Sequence, residues 1–251
     1  MQVEEFLEQS AARFPRKVAL VCGSSRLTYA EIECRANRLA HDLISRGIQR
    51  GDRVVIQMEN SVQTVLAIFA VLKADAVFVV LNPTTKAEKV LYVLNNCRAA
   101  GLFAEAGSAD DLRTYWHKAP HLRAVWVRGS RLTASLPSFV CSLDHVVTDA
   151  GSAHAPPRRG IDMDLAVLVY TSGSPGRPRG VMLTHLNVVS AATSITTYLE
   201  NTPDDTILNV LPLSFDYGLY QVLMGFKVGG TVVLERSSAS ARTLLDRKSV
   251  V

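Results

Sequence analysis

The alternation of short apolar segments with amphipathic segments along the first 130 residues is the feature that most restricts the fold. Apolar runs of strand length are separated by stretches of helical periodicity, with turn residues between them. This spacing is typical of βα units, in which helices pack on a largely parallel sheet. The predicted strands are residues 18–21, 76–81, 101–104 and 124–127, and residues 51–57 are predicted to form a turn followed by a strand. The predicted helices are residues 2–13, 28–46, 61–73, 85–96 and 109–118.

Two of these helices begin with a clear capping signal. Thr28 with Glu31, and Thr85 with Glu88, each match the Thr-x-x-Glu capping box, in which side chain and backbone bond reciprocally. Gly47 is suited to end the first of these helices. Residues 61–73 are apolar on most sides, which predicts a helix buried within the protein.

Composition and charge narrow the protein class. Apolar residues make up 48% and charged residues 20%, as in soluble globular proteins, and the net charge of +4 suits an anionic ligand without requiring nucleic acid. The four cysteines are far apart and the histidines form no metal-ligand pattern. With no apolar signal segment and no apolar run of membrane-spanning length, we expect a cytoplasmic protein with reduced thiols, no bound metal cluster and no membrane span.

A strand followed at once by a polar loop is the main functional signal. Residues 165–170 predict a buried strand, and residues 171–180 then supply hydroxyls, glycines and arginines. Such a loop suits a polyphosphate, because glycines let backbone N–H groups crowd around phosphate oxygens while hydroxyls and guanidinium groups add hydrogen bonds. Composition alone would favour an ordinary surface loop. The Gly-x-x-x-x-Gly-Lys-Ser/Thr loop of kinases and GTPases fits at neither Gly173 nor Gly176.

The order Tyr-Thr-Ser-Gly-Ser-Pro-Gly-Arg-Pro-Arg-Gly-Val of residues 170–181 resembles the Tyr-Thr-Ser-Gly-Ser/Thr-Thr-Gly-x-Pro-Lys-Gly-Val loop of AMP-forming adenylating enzymes. That family includes acyl-CoA synthetases, luciferases and nonribosomal-peptide adenylation domains. Residues 27–31 and 72–83 resemble two further elements of the family, although both are also explained by capping and packing. The resemblance implies an α/β fold with two largely parallel sheets flanked by helices, as in the N-terminal domain of these enzymes.

The resemblance also implies ATP-dependent activation of a carboxylic acid to an acyl-adenylate, followed by transfer to a thiol. It assigns the phosphate contacts to Thr171, Ser172, Gly173, Ser174, Gly176 and, in place of the usual lysine, Arg179. Pro175, where the family has threonine, lacks a hydroxyl and a backbone N–H, so we expect weaker nucleotide binding. The catalytic residues stay unknown at this point. The implied cofactors are ATP and magnesium, with the magnesium ligand expected beyond the end of this chain.

A weaker assignment concerns the acyl pocket. Residues 211–218 resemble the family element that borders this pocket, which makes Phe215, Asp216 and Tyr217 candidate lining residues. In amino-acid-activating members an aspartate at the place of Asp216 binds the substrate ammonium, but a helix-start role is equally open. His185 matches the family's Thr-His-x-Asn stretch and is a further pocket candidate, with packing at a helix start as the favoured alternative.

The predicted organisation has three parts. Residues 1–160 form a first α/β subdomain plus a basic Pro/Ser-rich connector, residues 161–235 begin a second, incomplete α/β subdomain with the phosphate loop, and residues 236–251 form an atypical tail. Within the second part we predict helices at 184–200 and 217–228 and strands at 206–211 and 231–234. The family's later Tyr-Gly-x-Thr-Glu and Thr-Gly-Asp motifs are not in the sequence, so we expect an N-terminal fragment that is inactive alone.

The implied partners are a carboxylic acid substrate and, as acceptor, CoA or an acyl carrier protein. A non-catalytic remnant that binds nucleotide or a protein partner is the alternative function. RNA binding through Arg158, Arg159, Arg177 and Arg179 is less favoured, because the aromatic residues that would stack on bases are sparse. We therefore expect no nucleic-acid partner, and the oligomeric state stays open.

Overall fold

The computed structural model describes residues 1–129, 137–148, 152–171 and 178–235. Strands and helices alternate along these ranges. In chain order the elements are α1 (Glu5–Arg13), β1 (Val18–Cys22), β2 (Ser25–Thr28), α2 (Tyr29–Ser45), β3 (Arg53–Gln57), α3 (Val62–Lys73), β4 (Val77–Val80), α4 (Ala87–Asn96), β5 (Ala99–Glu105), α5 (Ala106–Arg113), a 3₁₀ turn (Trp116–Lys118), β6 (Ala124–Arg128), β7 (Val140–Ser142), α6 (Leu143–Thr148), β8 (Leu165–Thr171), β9 (Arg179–Thr184), α7 (His185–Tyr198), β10 (Thr206–Asn209), α8 (Asp216–Val228) and β11 (Thr231–Leu234).

The large sheet has the strand order β7-β6-β5-β3-β4-β8-β9, and its neighbours are parallel except for the β8–β9 hairpin. Its central strands are covered on both faces, as parallel sheets require. Along β3, Val54 and Ile56 join one apolar core together with α2 and α3, whereas Val55 joins a second core together with α4 and α5. This alternation places the sheet between two layers of helices.

The small sheet joins the beginning of the chain to its last described strands. Its order is β10-β11-β1-β2, with β1 parallel to β11 and antiparallel to β2. The ring of Phe226 on α8 packs between Tyr29 and Phe69, at centroid distances of 5.5 and 5.1 Å. The Tyr29 hydroxyl donates to the carbonyl oxygen of Gly230 at 2.7 Å. The predicted fold class, two sheets flanked by helices, is confirmed, with antiparallel pairs at β1–β2 and β8–β9.

The sheets do not divide the chain at residue 160. The large sheet takes β8 and β9 from beyond that position, and the small sheet takes β1 and β2 from before it. Pairing between strands remote in sequence leaves no local signal, so the predicted boundary does not separate one sheet from the other. The subdomain division at residues 160 and 235 stays a prediction, and the tail 236–251 lies outside the described residues.

The predicted Pro/Ser-rich connector contains regular structure that its composition did not indicate. Residues 140–148 form β7 and α6, while residues 130–136 and 149–151 lie outside the described ranges. The Arg158 guanidinium contacts the carboxylates of Glu4, Glu5 and Glu8 in the N-terminal segment. This arginine is therefore engaged within the protein, which weakens the RNA-binding alternative.

Three further segments differ from the sequence prediction. The short exposed strands β2 and β9 were not predicted, because neither shows the regular apolar alternation of a half-buried strand. The helix predicted at residues 109–118 begins earlier, as α5, and is completed by the separate 3₁₀ turn.

One predicted capping box forms and the other does not. Thr28 accepts from the Glu31 N–H, and the Glu31 carboxylate accepts from the Thr28 N–H at 2.8 Å. The box predicted at Thr85 and Glu88 is wrong, because α4 begins later, with Lys86 as its cap and no side-chain cap. The Thr85 N–H instead bonds to the carbonyl oxygen of Asn82 in a turn.

Asp75 follows α3 in a left-handed backbone conformation, with φ of 55°. Few residues other than glycine adopt this conformation without strain. The Asp75 carboxylate accepts hydrogen bonds from the N–H groups of Arg159 and Gly160 at 3.0 and 3.1 Å. These bonds hold residues 159 and 160 against the end of α3.

Helix α3 is buried over nearly its whole length, as predicted. The side chain of its last residue, Lys73, is 1% exposed, and its ammonium lies 2.8 Å from the carboxylates of both Glu8 and Glu33. A buried charge of this kind requires such pairing, since an unpaired ammonium would be strongly disfavoured. Among the helices in the described ranges, none is long and apolar enough to span a bilayer.

Candidate functional site

A cleft of about 550 Å³ opens at the carboxyl ends of β4 and β8, two neighbouring parallel strands of the large sheet. Ligands of α/β sheets bind at this edge, where connecting loops and helix N-termini converge. The described lining residues come from the end of β4 through α4, from the end of β8, from the base of the following loop and from the start of α8. They are Val80, Leu81, Asn82, Thr85, Lys89, Val93, Val169, Tyr170, Thr171, Pro178, Ser214, Phe215 and Asp216.

The polar loop predicted to bind phosphate connects β8 to β9. Its first residue, Thr171, pairs across the hairpin with Arg179, the first residue of β9. Both Thr171 and Pro178 line the cleft, so the loop begins and ends at its edge. The predicted phosphate contacts Ser172, Gly173, Ser174 and Gly176, together with Pro175, lie outside the described residues. Their assignment stays a prediction.

The base of the hairpin is fixed by packing and hydrogen bonds. A Cβ atom on Gly180 would lie 3.2 Å from the Tyr170 ring. Glycine at this position therefore lets the backbone of β9 pass close to the ring of its partner residue on β8. The Tyr170 hydroxyl donates to Asn96 Oδ1 at 2.6 Å, and the Tyr92 hydroxyl donates to the Pro178 carbonyl oxygen at 3.3 Å. Burial raises the pKa of Tyr170 above its usual value, so this hydroxyl keeps its proton.

Arg179 lies beside the cleft at the exposed start of β9 and is not among the described lining residues. Within the described ranges its guanidinium has no ion-pair partner. The phosphate contact assigned to Arg179 stays a prediction.

The start of α8 forms another wall of the cleft. Phe215 is the N-cap residue of this helix and Asp216 its first residue, and both line the cleft. No ion pair or hydrogen bond engages the Asp216 carboxylate within the described part of the chain. Tyr217, the third candidate of this group, is 80% exposed and is not among the described lining residues.

His185 lies at the start of α7, in the core beneath the N-terminal segment rather than among the described cleft residues. Its Nδ1 accepts from the N–H of Val3 at 3.1 Å. Burial lowers the pKa of His185 to about 4, so the ring is neutral near pH 7. This geometry corresponds to the packing alternative for this residue.

The segment that follows β4 adds cleft residues that sequence analysis missed. Asn82, Thr85 and Lys89 line the wall formed by this segment and the beginning of α4. Within the described ranges the Lys89 ammonium has no ion-pair partner. Their position directly after a buried parallel strand was the available signal, because such segments meet at the carboxyl edge of the sheet.

The described cleft residues suit an anionic ligand better than a metal held by protein groups alone. They supply hydroxyls from Thr85, Thr171 and Ser214, one ammonium from Lys89 and a single carboxylate from Asp216. The described ranges contain no cluster of three or more His, Cys, Asp or Glu residues that could hold a metal ion. Magnesium commonly binds through substrate phosphates plus one or two carboxylates, so this donor set fits magnesium only as part of a nucleotide complex.

Comparison with known proteins identifies the family of the chain. Residues 7–248 match the family model described as AMP-binding enzyme. The chain is 34% identical over 233 residues to the phosphinothricin tripeptide synthetase PhsC of Streptomyces viridochromogenes, covering 91% of this chain and 19% of that protein. It is 32% identical over 225 residues to the chondramide synthase cmdD of Chondromyces crocatus, covering 88% and 5%. The chain thus spans a small part of these relatives.

Solved structures share the fold. The anthranilate CoA ligase AuaEII in complex with anthranoyl-AMP superposes with a TM-score of 0.88 at 21% identity, covering 98% of this chain and 46% of that one. The complex of VinN with L-aspartate gives a TM-score of 0.81 at 30% identity, covering 94% and 62%. The chain thus covers less than two thirds of the length of each solved protein.

Proposed function

The chain belongs to the AMP-binding enzyme family, and from that premise we propose that it forms the nucleotide-binding part of an ATP-dependent, adenylate-forming acid–thiol ligase. In this reaction a substrate carboxylate attacks the α-phosphorus of ATP, which releases pyrophosphate and leaves an acyl-adenylate. A thiol of CoA or of a carrier protein then takes the acyl group and releases AMP. The protein contributes mainly by positioning the reactants and stabilising charge.

The observation that supports this proposal is the position of the two described ends of the polar loop. Its two ends, Thr171 and Pro178, lie on the rim of a cleft at the carboxyl edge of a parallel sheet. A loop rooted there can direct backbone N–H groups and hydroxyls toward a polyphosphate in the cleft. We assign the β- and γ-phosphate contacts to Thr171, Ser172, Gly173, Ser174 and Gly176, with Arg179 supplying charge.

The substrate class we propose is an amino acid. Asp216 is an unpaired carboxylate, among the described residues, on the cleft wall, where it can bind an ammonium group. A tripeptide synthetase is among the relatives, and L-aspartate is the ligand named for the VinN structure. The acceptor, CoA or a carrier protein, follows from neither observation and stays open.

We also propose that residues 1–251 bind nucleotide but do not complete adenylation by themselves. The sequence lacks the Tyr-Gly-x-Thr-Glu and Thr-Gly-Asp motifs that the family uses for adenine, magnesium and ribose. Nucleotide binding and turnover should therefore be separable in this chain.

The test is calorimetric titration of the chain with ATP, alone and with magnesium, together with a carboxylate-dependent pyrophosphate exchange assay. We expect saturable ATP binding without exchange. Binding should strengthen in the Pro175→Thr/Arg179→Lys variant, because it restores the usual hydroxyl, N–H group and ammonium. Arg26→Lys, at an exposed position on β2, is the matched control and should not change the affinity.

The possible results separate the proposals. Unchanged affinity in the double variant would contradict the assignment of the loop. Clear exchange by the native chain would contradict the proposed inability to adenylate. A third result would be that ATP protects the chain against proteolysis, yet no pyrophosphate exchange occurs when a separate polypeptide with the downstream motifs of a relative is added. This result would favour a non-catalytic nucleotide-binding protein.

A matched ligand screen tests the amino-acid assignment. Pairs of an α-amino acid and the same carboxylic acid without its amino group would be compared by thermal shift in the presence of ATP. The native chain should be stabilised more by the amino acid of the preferred pair, and Asp216→Asn should remove that difference. A native chain that does not distinguish the members of any pair would refute the assignment.

A further inference from the structure

Asn60 lies between β3 and α3, outside every motif with a proposed function, and is only 3% exposed. Its side chain bonds to backbone groups that are more than 150 positions away in sequence. Nδ2 donates to the carbonyl oxygens of Leu211 and Glu235 at 2.9 and 3.0 Å. Oδ1 accepts from the N–H of Leu213 at 3.0 Å. One amide group thereby holds the chain on both sides of Pro212 and the residue after β11.

Asn209, the fully buried last residue of β10, makes a similar set of bonds. Its Nδ2 donates to the carbonyl oxygen of Gly218 at 2.6 Å, and its Oδ1 accepts from the N–H of Leu211 at 3.0 Å. Asn60 and Asn209 therefore both bond to the beginning of the same turn, residues 211–218, and Asn209 also bonds to its end. We call this pair the asparagine clamp.

The clamped turn carries the α8 wall of the cleft. Its tip is open to solvent, with Phe215 58% exposed, so packing of that side chain cannot by itself fix the turn. The Phe215 N–H bonds back to the Pro212 carbonyl oxygen at 3.0 Å. Gly218 permits the close approach that this geometry requires, since a Cβ atom there would lie 2.4 Å from that same oxygen. Backbone anchors therefore act together with the buried Leu213 side chain to fix the position of the wall.

We propose that Asn60 and Asn209 are positioning residues, which hold Phe215 and Asp216 at the cleft and thereby set its affinity for the carboxylic acid substrate. An asparagine suits this role because one short side chain offers a donor and an acceptor at fixed separation. The buried amides also satisfy backbone groups that would otherwise lack partners, which makes their loss costly. The effect on affinity rests on the proposed function; the fixing of the turn does not.

Site-resolved hydrogen exchange of the whole chain tests the positioning role. In Asn60→Ala and Asn209→Ala we expect amide exchange in residues 211–216 to accelerate roughly tenfold or more, from the loss of two or three hydrogen bonds. The matched control is Asn37→Ala. Asn37 is also buried, at 2% exposure, and donates to the Ala153 carbonyl oxygen at 2.8 Å, but it makes no contact with the turn. The control should leave the relative protection of residues 211–216 unchanged.

The second measurement is affinity for the carboxylic acid preferred in the matched ligand screen. We expect Asn60→Ala to weaken this binding at least several-fold, and Asn37→Ala to leave it within twofold. Unchanged exchange in residues 211–216 would overturn the clamp. Faster exchange with unchanged affinity would overturn its link to binding. If the native chain binds no carboxylic acid, the proposed function fails, and the exchange result alone then supports or overturns the positioning of the wall.

Discussion

Replacing Glu4 with glutamine removes a carboxyl group that is almost fully buried between α1, the connector and the start of α7. Glu4 is 1% exposed and lies 3.6 Å from both Arg158 Nε and His185 Nδ1. Burial raises the pKa of Glu4 from 4.5 to about 7, and the nearby charge of Arg158 only partly opposes this rise. The folded chain therefore binds this proton more tightly than the unfolded chain does.

The pKa difference fixes how the stability contribution of Glu4 depends on pH. The contribution is fully present below pH 4.5, where both states are protonated, and is lost as the pH rises through 7, where the folded state must carry a buried charge. Between pH 5 and pH 8 the loss is about 2.5 kcal/mol. Glutamine does not titrate, so the stability of Glu4→Gln relative to the native chain should rise by that amount over this interval.

The assay is urea unfolding of both chains at half-unit steps from pH 5 to pH 8. The difference in stability between the variant and the native chain cancels the contributions of all groups that titrate identically in both. The relative stability of His185→Asn should change with pH in the opposite direction, because burial lowers the pKa of His185 from 6.5 to about 4. The native histidine contribution is present above pH 6.5 and is lost as the pH falls toward 4, so this variant should gain relative stability at low pH. A Glu4→Gln difference that stays constant from pH 5 to pH 8 would refute the reasoning.

Three further predictions concern single positions. Lys89→Gln should weaken ATP binding several-fold in calorimetric titrations, because Lys89 lines the cleft. Lys86, the N-cap residue of α4, is not among the described lining residues, so Lys86→Gln should leave ATP binding unchanged. Equal effects of the two substitutions would contradict a specific contact of Lys89. Asp75→Ala should be less stable than Asp75→Gly by about 1 kcal/mol in urea unfolding, since both lose the carboxylate but only glycine adopts the positive φ freely; alanine at least as stable as glycine would contradict this account. Gly218→Ala should lower the free energy of unfolding, measured in urea, by about 2–3 kcal/mol, because the added Cβ would overlap the Pro212 carbonyl oxygen. A decrease below about 0.5 kcal/mol would show that the turn relaxes with little strain.

Much of the local structure was predictable because its causes are local. The Thr28–Glu31 capping box, the buried helix α3 and the strand β11 follow from residues within a few positions of each other. The prediction at Thr85 and Glu88 failed for one local and one remote reason, of which the local one is the turn in which the Asn82 carbonyl oxygen accepts from the Thr85 N–H at 2.9 Å. Gln57, on β3, donates to the carbonyl oxygen of Thr85 at 2.9 Å and helps to hold the residues before α4 in a turn.

The candidate site was predictable in part. The order of residues 170–181 identified the family and the polar loop, and Phe215 and Asp216 do line the cleft beside the ends of that loop. The position of Lys89 at the cleft and the hydrogen bonds of Asn60 and Asn209 were not found, because none of these residues belongs to a local motif. Their placement depends on which chain segments meet in space.

The sequence alone determined the family, the alternating α/β character and the polar loop after β8, since each is written in the order and spacing of neighbouring residues. The tertiary structure decided which strands pair, and so brought β8 beside β4 and β11 beside β1. It also placed His185 in the core rather than in the cleft, and connected Asn60 to a turn more than 150 residues away. Backbone groups and buried polar atoms must find partners, and in a chain of this topology those partners are distant in sequence.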